Sequence, residues 1–485
     1  MIVDISKWEM HNVVRDGSGD IRTRRGFAAT LDFVADDVVA SFSVENPKTS
    51  EVNWFFFMWS PTTGAVTLKV YDEGRANSSA PLYTFPLGVM SRDVVITMAQ
   101  SYGFLQFNSP SFSAPLFGFV GGGVTTMLAV PSENPDSTTL SVPTGHCATF
   151  GDRWCVAQDN AIYFADPGIQ GVRSFTAQNV LVVPGTVLDL FQADSGSLMI
   201  FTTAGAYSLG ADALSVGQDV VGFLSQIDGV STTAPRNACS TSFGTLVLGR
   251  SDISVISGGA VQKLSIPRYT GRRKLSRPVE VDDLRTWGRL LPTPDGFLLG
   301  FGRNRDMFLA ADLRTNTYSW MYGHDSQNQP TQLHGVVYSR DGDQFLVFRS
   351  TVVQPLTVGA SDHFDGEMLG YVCGLLPVDT TDMPLFRRVT VACANAGGTA
   401  GVAMSPAENV LQTTAVHTGD VVVGTDVWGS KKIASYNQRT TRCTVNTRAT
   451  EPHIELVFGG CGRRIASTIN LEMSGTWRAR KDRQP

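Results

Sequence analysis

Trp54-Phe-Phe-Phe-Met-Trp59, the turn Pro61-Thr-Thr-Gly64 and the run Val66-Thr-Leu-Lys-Val-Tyr71 decide how the rest of the chain reads. The first run is aromatic and strand-sized, and Pro/Gly punctuation separates it from a second run of alternating character, so the phrase reads strand, turn, strand. The phrase returns along the chain. Phe104-Leu-Gln-Phe107 precedes Leu116-Phe-Gly-Phe119, and Trp154-Cys-Val-Ala157 turns at Asp159-Asn160 into Ile162-Tyr-Phe164. Leu198-Met-Ile-Phe201 turns at Ala204-Gly205 into Tyr207-Ser-Leu209, and Leu246-Val-Leu248 turns at Ser251-Asp252 into Ile253-Ser-Val-Ile256. Phe297-Leu-Leu-Gly-Phe301 leads to Met307-Phe-Leu309, and Phe345-Leu-Val-Phe348 to Val352-Val-Gln-Pro-Leu356.

The units open at 54, 104, 154, 198, 246, 297 and 345, a recurrence of about 44–51 residues. That lies near the ~40–50 residues of a four-stranded propeller blade. Small sheets arranged radially bury both faces against their neighbours and leave only short edges, which gives an even period a physical cause. The fold expected is therefore all-β, a β-propeller of about seven blades (six to eight). Past residue 365 the rhythm stops. Leu385–Ala392, Asp420–Val423, His453–Phe458 and Ile465–Glu472 alternate apolar and polar residues as half-buried antiparallel strands do. The expected division is an N-terminal hairpin segment over 1–30, the propeller over 31–365, and a C-terminal β-sandwich-like domain over 366–485 with a basic tail, Arg478-Ala-Arg-Lys-Asp-Arg483.

Of the 485 residues, 42% are apolar and 17% charged; that charge is below the ~25% of an average soluble domain and suits a large core or extensive subunit contacts. A net charge of −5 argues against a chain wrapped by nucleic acid, which needs a basic excess. The opening Met1–Met10 lacks a basic, then long apolar, secretory pattern, and no run approaches the ~20 apolar residues of a membrane-spanning helix. A chain made in the cytoplasm, without membrane insertion, is expected. The seven cysteines, Cys147, Cys155, Cys239, Cys373, Cys393, Cys443 and Cys461, form no Cys-x-x-Cys pair and read as buried free thiols.

No motif carries enzyme chemistry. His146-Cys147 are adjacent on a strand and so face opposite sides. Asp362-His363 with Asp365 and Glu367 lie in a linker-like stretch and lack metal-site spacing. Gly121-Gly-Gly123 has no phosphate-loop Lys-Ser/Thr, and no Gly-x-Ser-x-Gly elbow occurs. Ser339-Arg-Asp-Gly-Asp-Gln-Phe345 is an imperfect copy of the Ser-x-Asp-x-Gly-x-x-Trp box of propeller sialidases. No catalytic residue, metal ligand or cofactor is expected.

At the start of the chain stand Trp8, then Asn12-Val13-Val-Arg-Asp16-Gly17-Ser-Gly19, then Arg22-Thr-Arg24-Arg25-Gly26-Phe27. Read locally, this is a hairpin with Asn12–Arg15 as one strand, Asp16-Gly17 as the turn and Ile21–Arg24 as the return. The string resembles the opening segment of the nozzle, or tail-tube, proteins of short-tailed bacteriophages. Phe150–Ala157 with Ile162–Pro167, and Leu198–Leu209, are similar to mid-chain stretches of the same family. The resemblance implies a structural virion protein. It would form a homo-hexameric ring under a portal-proximal adaptor, carry fibres or spikes, and pass double-stranded DNA through the ring without sequence specificity.

Two basic clusters are candidate contacts under that reading. Arg268, Arg272, Arg273, Lys274 and Arg277 fall between two repeats; they would meet DNA, meet acidic groups of a neighbouring subunit, or form a solvated interblade loop. Arg22, Arg24 and Arg25 pose the same choice, and their place in the family-like segment favours a subunit contact. The alternative function is a carbohydrate-binding or glycan-degrading propeller acting on a host surface, which would require two close carboxylates beside stacking aromatics.

Overall fold

The computed structural model describes residues 2–4, 8–15, 21–33, 36–46, 49–73, 80–121, 124–129, 143–167, 175–214, 223–232, 234–249, 252–264, 289–300, 307–322, 333–357, 361–362, 366–367, 369–375, 382–393, 399–405, 412–418, 439–448, 453–459 and 464–478. Among them, four-stranded antiparallel units succeed one another around a ring of seven blades. Blade 1 is Asp37–Glu45, Val52–Trp59, Ala65–Asp72 and Tyr83–Val89. Blade 2 is Thr97–Ser101, Phe104–Asn108, Leu116–Gly121 and Val124–Ala129. Blade 3 is His146–Phe150, Arg153–Gln158, Ala161–Ala165 and Phe175–Val182. Blade 4 is Val187–Gln192, Leu198–Thr202, Gly205–Leu209 and Leu224–Ile227. Blade 5 is Ala238–Thr241, Gly244–Leu248, Ile253–Ser257 and Ala260–Leu264. Blade 6 is Arg289–Thr293, Gly296–Gly300, Met307–Asp312 and Thr317–Tyr322. Blade 7 is Leu333–Tyr338, Gln344–Phe348, Thr351–Thr357 and, from the N-terminal side of the chain, Gly26–Asp32.

Seven apolar clusters, one between each pair of neighbouring blades, hold the ring. They explain why the second strand of a blade is apolar at consecutive positions rather than alternate ones. In blade 1, Trp54, Phe56 and Met58 pack toward blade 7, while Phe55 and Phe57 pack toward blade 2. In blade 3, Trp154 and Val156 meet blade 2, and Cys155 and Ala157 meet blade 4. A strand sandwiched on both faces has no solvent side, and burying each large side chain contributes roughly 1.5–3 kcal/mol.

Closure runs through the pairing of Thr351–Thr357 with Gly26–Asp32, which places Val352 opposite Leu31 and Gln354 opposite Ala28. Beyond that strand the chain passes directly into blade 1. Phe33 N–H donates to Ser350 O at 2.6 Å and Val38 N–H to Arg349 O at 2.8 Å. Asp37 accepts from Arg349 Nε at 2.5 Å and pairs with Arg92 Nε at 3.1 Å. The Trp54 indole donates to Tyr338 O at 2.9 Å across the same seam.

Inner strands of adjacent blades do not ladder, so side chains bridge them. Thr149 Oγ1 accepts from Gln100 N–H and donates to Gln100 O, both at 2.9 Å. Ser101 Oγ donates to Asp152 O, Asp194 N–H to Ser240 Oγ, Ser242 Oγ to Pro294 O, and Tyr338 Oη to Pro292 O. Residue numbers rise together on both sides of these bridges, so the inner strands run parallel around the axis.

The remaining strands form a second unit made from both ends of the chain. One sheet has the order Val13–Arg15, Ile21–Thr23, Arg464–Arg478, Asp382–Cys393, Arg439–Arg448, with Ile2–Asp4 also on Arg464–Arg478. The other continues from blade 6 through Glu9–His11 to Leu369–Leu375, His453–Gly459, Thr399–Ser405 and Gln412–Thr418. Thr399–Ser405 and Gln412–Thr418 lie against Arg439–Arg448, so the two sheets face each other as a sandwich. Three strand segments expected there, Leu385–Ala392, His453–Phe458 and Ile465–Glu472, are strands; Asp420–Val423 lies outside the described residues.

The expected division needs correction at the first boundary. The hairpin forms, with Val13 opposite Thr23 and Arg15 opposite Ile21, but 1–30 is not a unit. Its first strands belong to the sandwich, and Gly26–Asp32 completes blade 7. The physical reason is closure: a ring whose first strand and last blade interlock needs a strand from each end of the propeller chain.

Candidate functional site

The inner strands of all seven blades line one axial cavity of about 590 Å³. That volume is in the range of small-molecule pockets, ~300–1,000 Å³.

Polar side chains gather where the inner strands begin. Arg236 precedes the inner strand of blade 5 and has φ +64°, a left-handed conformation costing a non-glycine residue about 1 kcal/mol. Asp189 in blade 4 holds it there, since Asp189 Oδ2 accepts Arg236 N–H at 3.1 Å, and Leu290 N–H donates to Arg236 O at 3.2 Å. The bent backbone sends the guanidinium across the ring. Nη1 donates to Val39 O at 3.0 Å and Nη2 to Val94 O at 3.3 Å. Arg289, opening blade 6, donates from Nη1 to the same Val39 O at 3.3 Å and to His334 O at 3.0 Å. Two guanidinium groups thus converge on one carbonyl, and among the described residues neither has a carboxylate within ion-pair distance.

The electrostatics follow from enclosure. Burial, opposed in part by the Asp189 charge, lowers Arg236 to about 10. Burial and the nearby Arg236 lower Arg289 well below its ordinary value, and Asp93 offsets part of this. His334 is held neutral, first by burial and then by Arg289, Arg92, Arg236 and Arg349. His146 falls to about 4, by burial and by Arg236. Burial raises Asp189 to about 6, against N–H donors from Leu190, Arg236 and Ala238. Both ring nitrogens of His334, and Nδ1 of His146, are buried without a hydrogen-bond partner among the described residues.

His146 and Cys147 do separate onto opposite sides. Cys147 joins the cluster between blades 2 and 3, where Thr97 Oγ1 lies 3.4 Å from its sulfur and accepts Cys147 N–H at 2.8 Å. Burial pushes its thiol up to about 12, out of the range of a thiolate nucleophile. Cys155 and Cys239 are likewise buried free thiols, raised by burial. Ser339–Phe345 is the turn between the first two strands of blade 7, closed on itself by Ser339 N–H to Asp343 O at 2.9 Å and Asp343 N–H to Ser339 Oγ at 2.9 Å. Asp189 is the one carboxylate among the described residues lining the cavity.

The sequence-derived contacts fare unevenly. Arg22 and Arg25 are exposed. Arg24 is not: at 3% exposure it is withdrawn as a subunit contact. Its Nε donates to Asn12 Oδ1 at 3.0 Å, its Nη1 to Arg25 O at 3.0 Å, and its guanidinium sits 4.0 Å over the Phe27 ring. Asn12, at φ +51°, receives Arg24 N–H on its carbonyl at 2.8 Å and donates its own N–H to Trp320 O at 2.7 Å. Val13 O accepts from Ser319 Oγ. Asn12, Val13, Arg24 and Phe27 therefore lock the sandwich onto blades 6 and 7, with Gly26 opening the closing strand and Trp8 half-buried just before Glu9–His11. Asp16 and Gly17 lie outside the described residues. So do Arg268, Arg272, Arg273, Lys274 and Arg277, in the connection from blade 5 to blade 6. Sequence reading missed Asp189, Arg236, Arg289 and His334, and weighed His146 only as a partner for Cys147.

No protein family's sequence profile matches the chain, and no curated protein does. Among solved structures it is similar to YCF48 from Cyanidioschyzon merolae at 9% identity and TM-score 0.41, over 68% of this chain and 98% of that one. It is also similar to PorZ, a surface component of the type-IX secretion system of Porphyromonas gingivalis, at 13% identity and TM-score 0.37, over 75% of this chain and 44% of that one. A third likeness is to the extracellular domain of the putative hybrid two-component system BT4673 from B. thetaiotaomicron, at 10% identity and TM-score 0.32, over 91% and 80%. Likeness this distant carries no functional argument.

Proposed function

We propose that the chain is a structural subunit of a short-tailed phage tail, the nozzle ring below the portal and adaptor. The observation that carries the reading is the family-like opening string. Asn12, Arg24 and Phe27, the residues that give it its character, are those that fasten the sandwich to the propeller. A wall subunit that bears load during genome ejection benefits from two rigid units joined by a buried lock rather than a linker. DNA would pass through the centre of a ring of copies, proposed to be six. Cyclic symmetry makes each contact heterologous, one face against a different face, and exposed Arg22 and Arg25 are candidates for it. Fibres or spikes would attach on the outside, and the protein would reside in the virion.

The test is direct. Image purified particles with this chain labelled, and quantify its copies by mass spectrometry. About six copies at the tail end support the proposal; a chain absent from particles, or a stable monomer in them, refutes it. The glycan-degrading alternative gains nothing from the cavity, because cleavage needs two carboxylates flanking the bond and the described lining offers Asp189 alone.

A further inference from the structure

We propose that the axial cavity is a binding site for a small amphipathic molecule, whose oxyanion, a carboxylate or phosphate, seats on the guanidinium groups of Arg236 and Arg289. The inference goes beyond the tail reading and stands or falls separately from it.

Three observations converge. First, both arginines line the cavity, and their guanidinium hydrogen-bond partners among the described residues are backbone carbonyls of Val39, Val94 and His334. Carbonyl dipoles orient a guanidinium but do not neutralise it. Each guanidinium has five N–H donors in a fixed fork, suited to bidentate oxyanion recognition. Three donor bonds from Arg236 and Arg289 are spent on Val39 and Val94, and one on His334. Donors remain on both groups.

Second, the nearby acids are already engaged. Asp37 is taken by Arg92 and Arg349. Asp189 spends its oxygens on the N–H groups of Leu190 and Arg236. His334, beside the two arginines, keeps both ring nitrogens buried and unpartnered among the described residues. A neutral imidazole there offers one donor to an oxyanion. Asp189 and Asp93 offset only part of the cost of enclosing the two cations, and an arriving anion would relieve more of it.

Third, the cavity has a direction. Parallel inner strands place the arginine end at one mouth, and further along five of the strands large apolar side chains enter the lining, beside Thr149 and Ser240 from the other two. Phe42, Met98, Phe191, Leu291 and Val336 line that part. An anionic head with an apolar body matches a polar mouth over an apolar barrel, and the left-handed backbone at Arg236 is the local strain that aims the head group's ligand.

The test uses the full-length chain and calorimetric titration with three probes: octanoate, inorganic phosphate and octan-1-ol. Saturable 1:1 binding of octanoate or of phosphate, with octan-1-ol silent, is expected; which anion binds tells carboxylate from phosphate. Arg289→Gln and Arg236→Gln, each checked by circular dichroism, should weaken that binding about tenfold or more, while exposed Arg25→Gln leaves it unchanged. Should both cavity variants fail to fold, an anion-dependent rise in wild-type melting temperature that octan-1-ol does not give supports the site. Binding by neither anion, equal binding of octanoate and octan-1-ol, or unaltered affinity in folded variants overturns it.

Discussion

Trp54 and Trp154 are both fully buried, with 0% exposure, in the second strands of blades 1 and 3. Their rings have similar aromatic neighbours: Phe345 lies 4.8 Å from Trp54 and Phe117 5.4 Å from Trp154, centroid to centroid. They differ in one atom's fate. Trp54 Nε1 donates to Tyr338 O across the closing seam at 2.9 Å, whereas Trp154 Nε1 is buried without a hydrogen-bond partner among the described residues. The same substitution, Trp→Phe, therefore removes about the same apolar volume at both sites but opposite polar balances. At position 54 it forfeits a hydrogen bond of about 1 kcal/mol net and strands a carbonyl, about 1–3 kcal/mol more. At position 154 it removes an unpaired donor whose burial costs about 1–3 kcal/mol, offsetting the lost packing. Trp54→Phe should destabilise by at least about 2 kcal/mol more than Trp154→Phe. Urea unfolding followed by far-ultraviolet circular dichroism, with m unchanged, measures the difference. Equal losses, or a larger loss at 154, would show that the closing seam does not rely on this bond.

Arg24→Ala should cost about 3 kcal/mol, because it removes a buried guanidinium from Asn12 Oδ1, Arg25 O and the Phe27 ring, while Arg25→Ala on the exposed side should stay within about 0.5 kcal/mol; thermal unfolding separates them. His146 is depressed to about 4 by burial and Arg236, so its contribution is intact above its ordinary value near 6.5 and is lost as pH falls toward 4. Asp189, raised to about 6, works the other way, its contribution fading as pH rises through 6. Unfolding midpoints at pH 7 and 4.5 should therefore fall less in His146→Gln than in wild type, and an equal fall would exclude His146 as the titrating group. Cys147, Cys155 and Cys239 should resist iodoacetamide at pH 8 until urea is added; rapid native labelling of these three would contradict their burial.

Each of the seven units seen in the sequence is the second and third strand of one blade. The second strands were legible because they are buried on both faces, giving dense apolar runs such as Trp54–Trp59 and Leu198–Phe201. The first strands were not, because they edge the cavity. Ala238-Cys-Ser-Thr241 and Thr97–Ser101 carry small and hydroxyl residues that bridge to the next blade, and such strings resemble loops. Yet a signal existed. Arg92, His146, Asp189, Arg236, Arg289 and His334 stand in, or just before, six successive inner strands, one polar group per blade at the spacing of the apolar runs. Aligning the repeats before listing charged residues would have found the site, whereas searching for clusters close in sequence pointed to Arg268–Arg277.

The joint between the two units follows from the way the ring is closed. A propeller whose last blade borrows a strand from the front of the chain brings its entry and exit together, at Gly26 and Thr357, which pair across that blade. Whatever precedes and follows must then begin as neighbours. Here it does more: Ile21 and Arg22 ladder to Ile465 and Arg464, and Glu9–His11 lies between blade 6 and Leu369–Leu375. The second unit thus acts as a clasp over the closing strand, since pulling Gly26–Asp32 out of blade 7 would drag on the Arg24–Asn12 lock. Closure and clasp are then coupled through buried Arg24, and loosening either should expose the other.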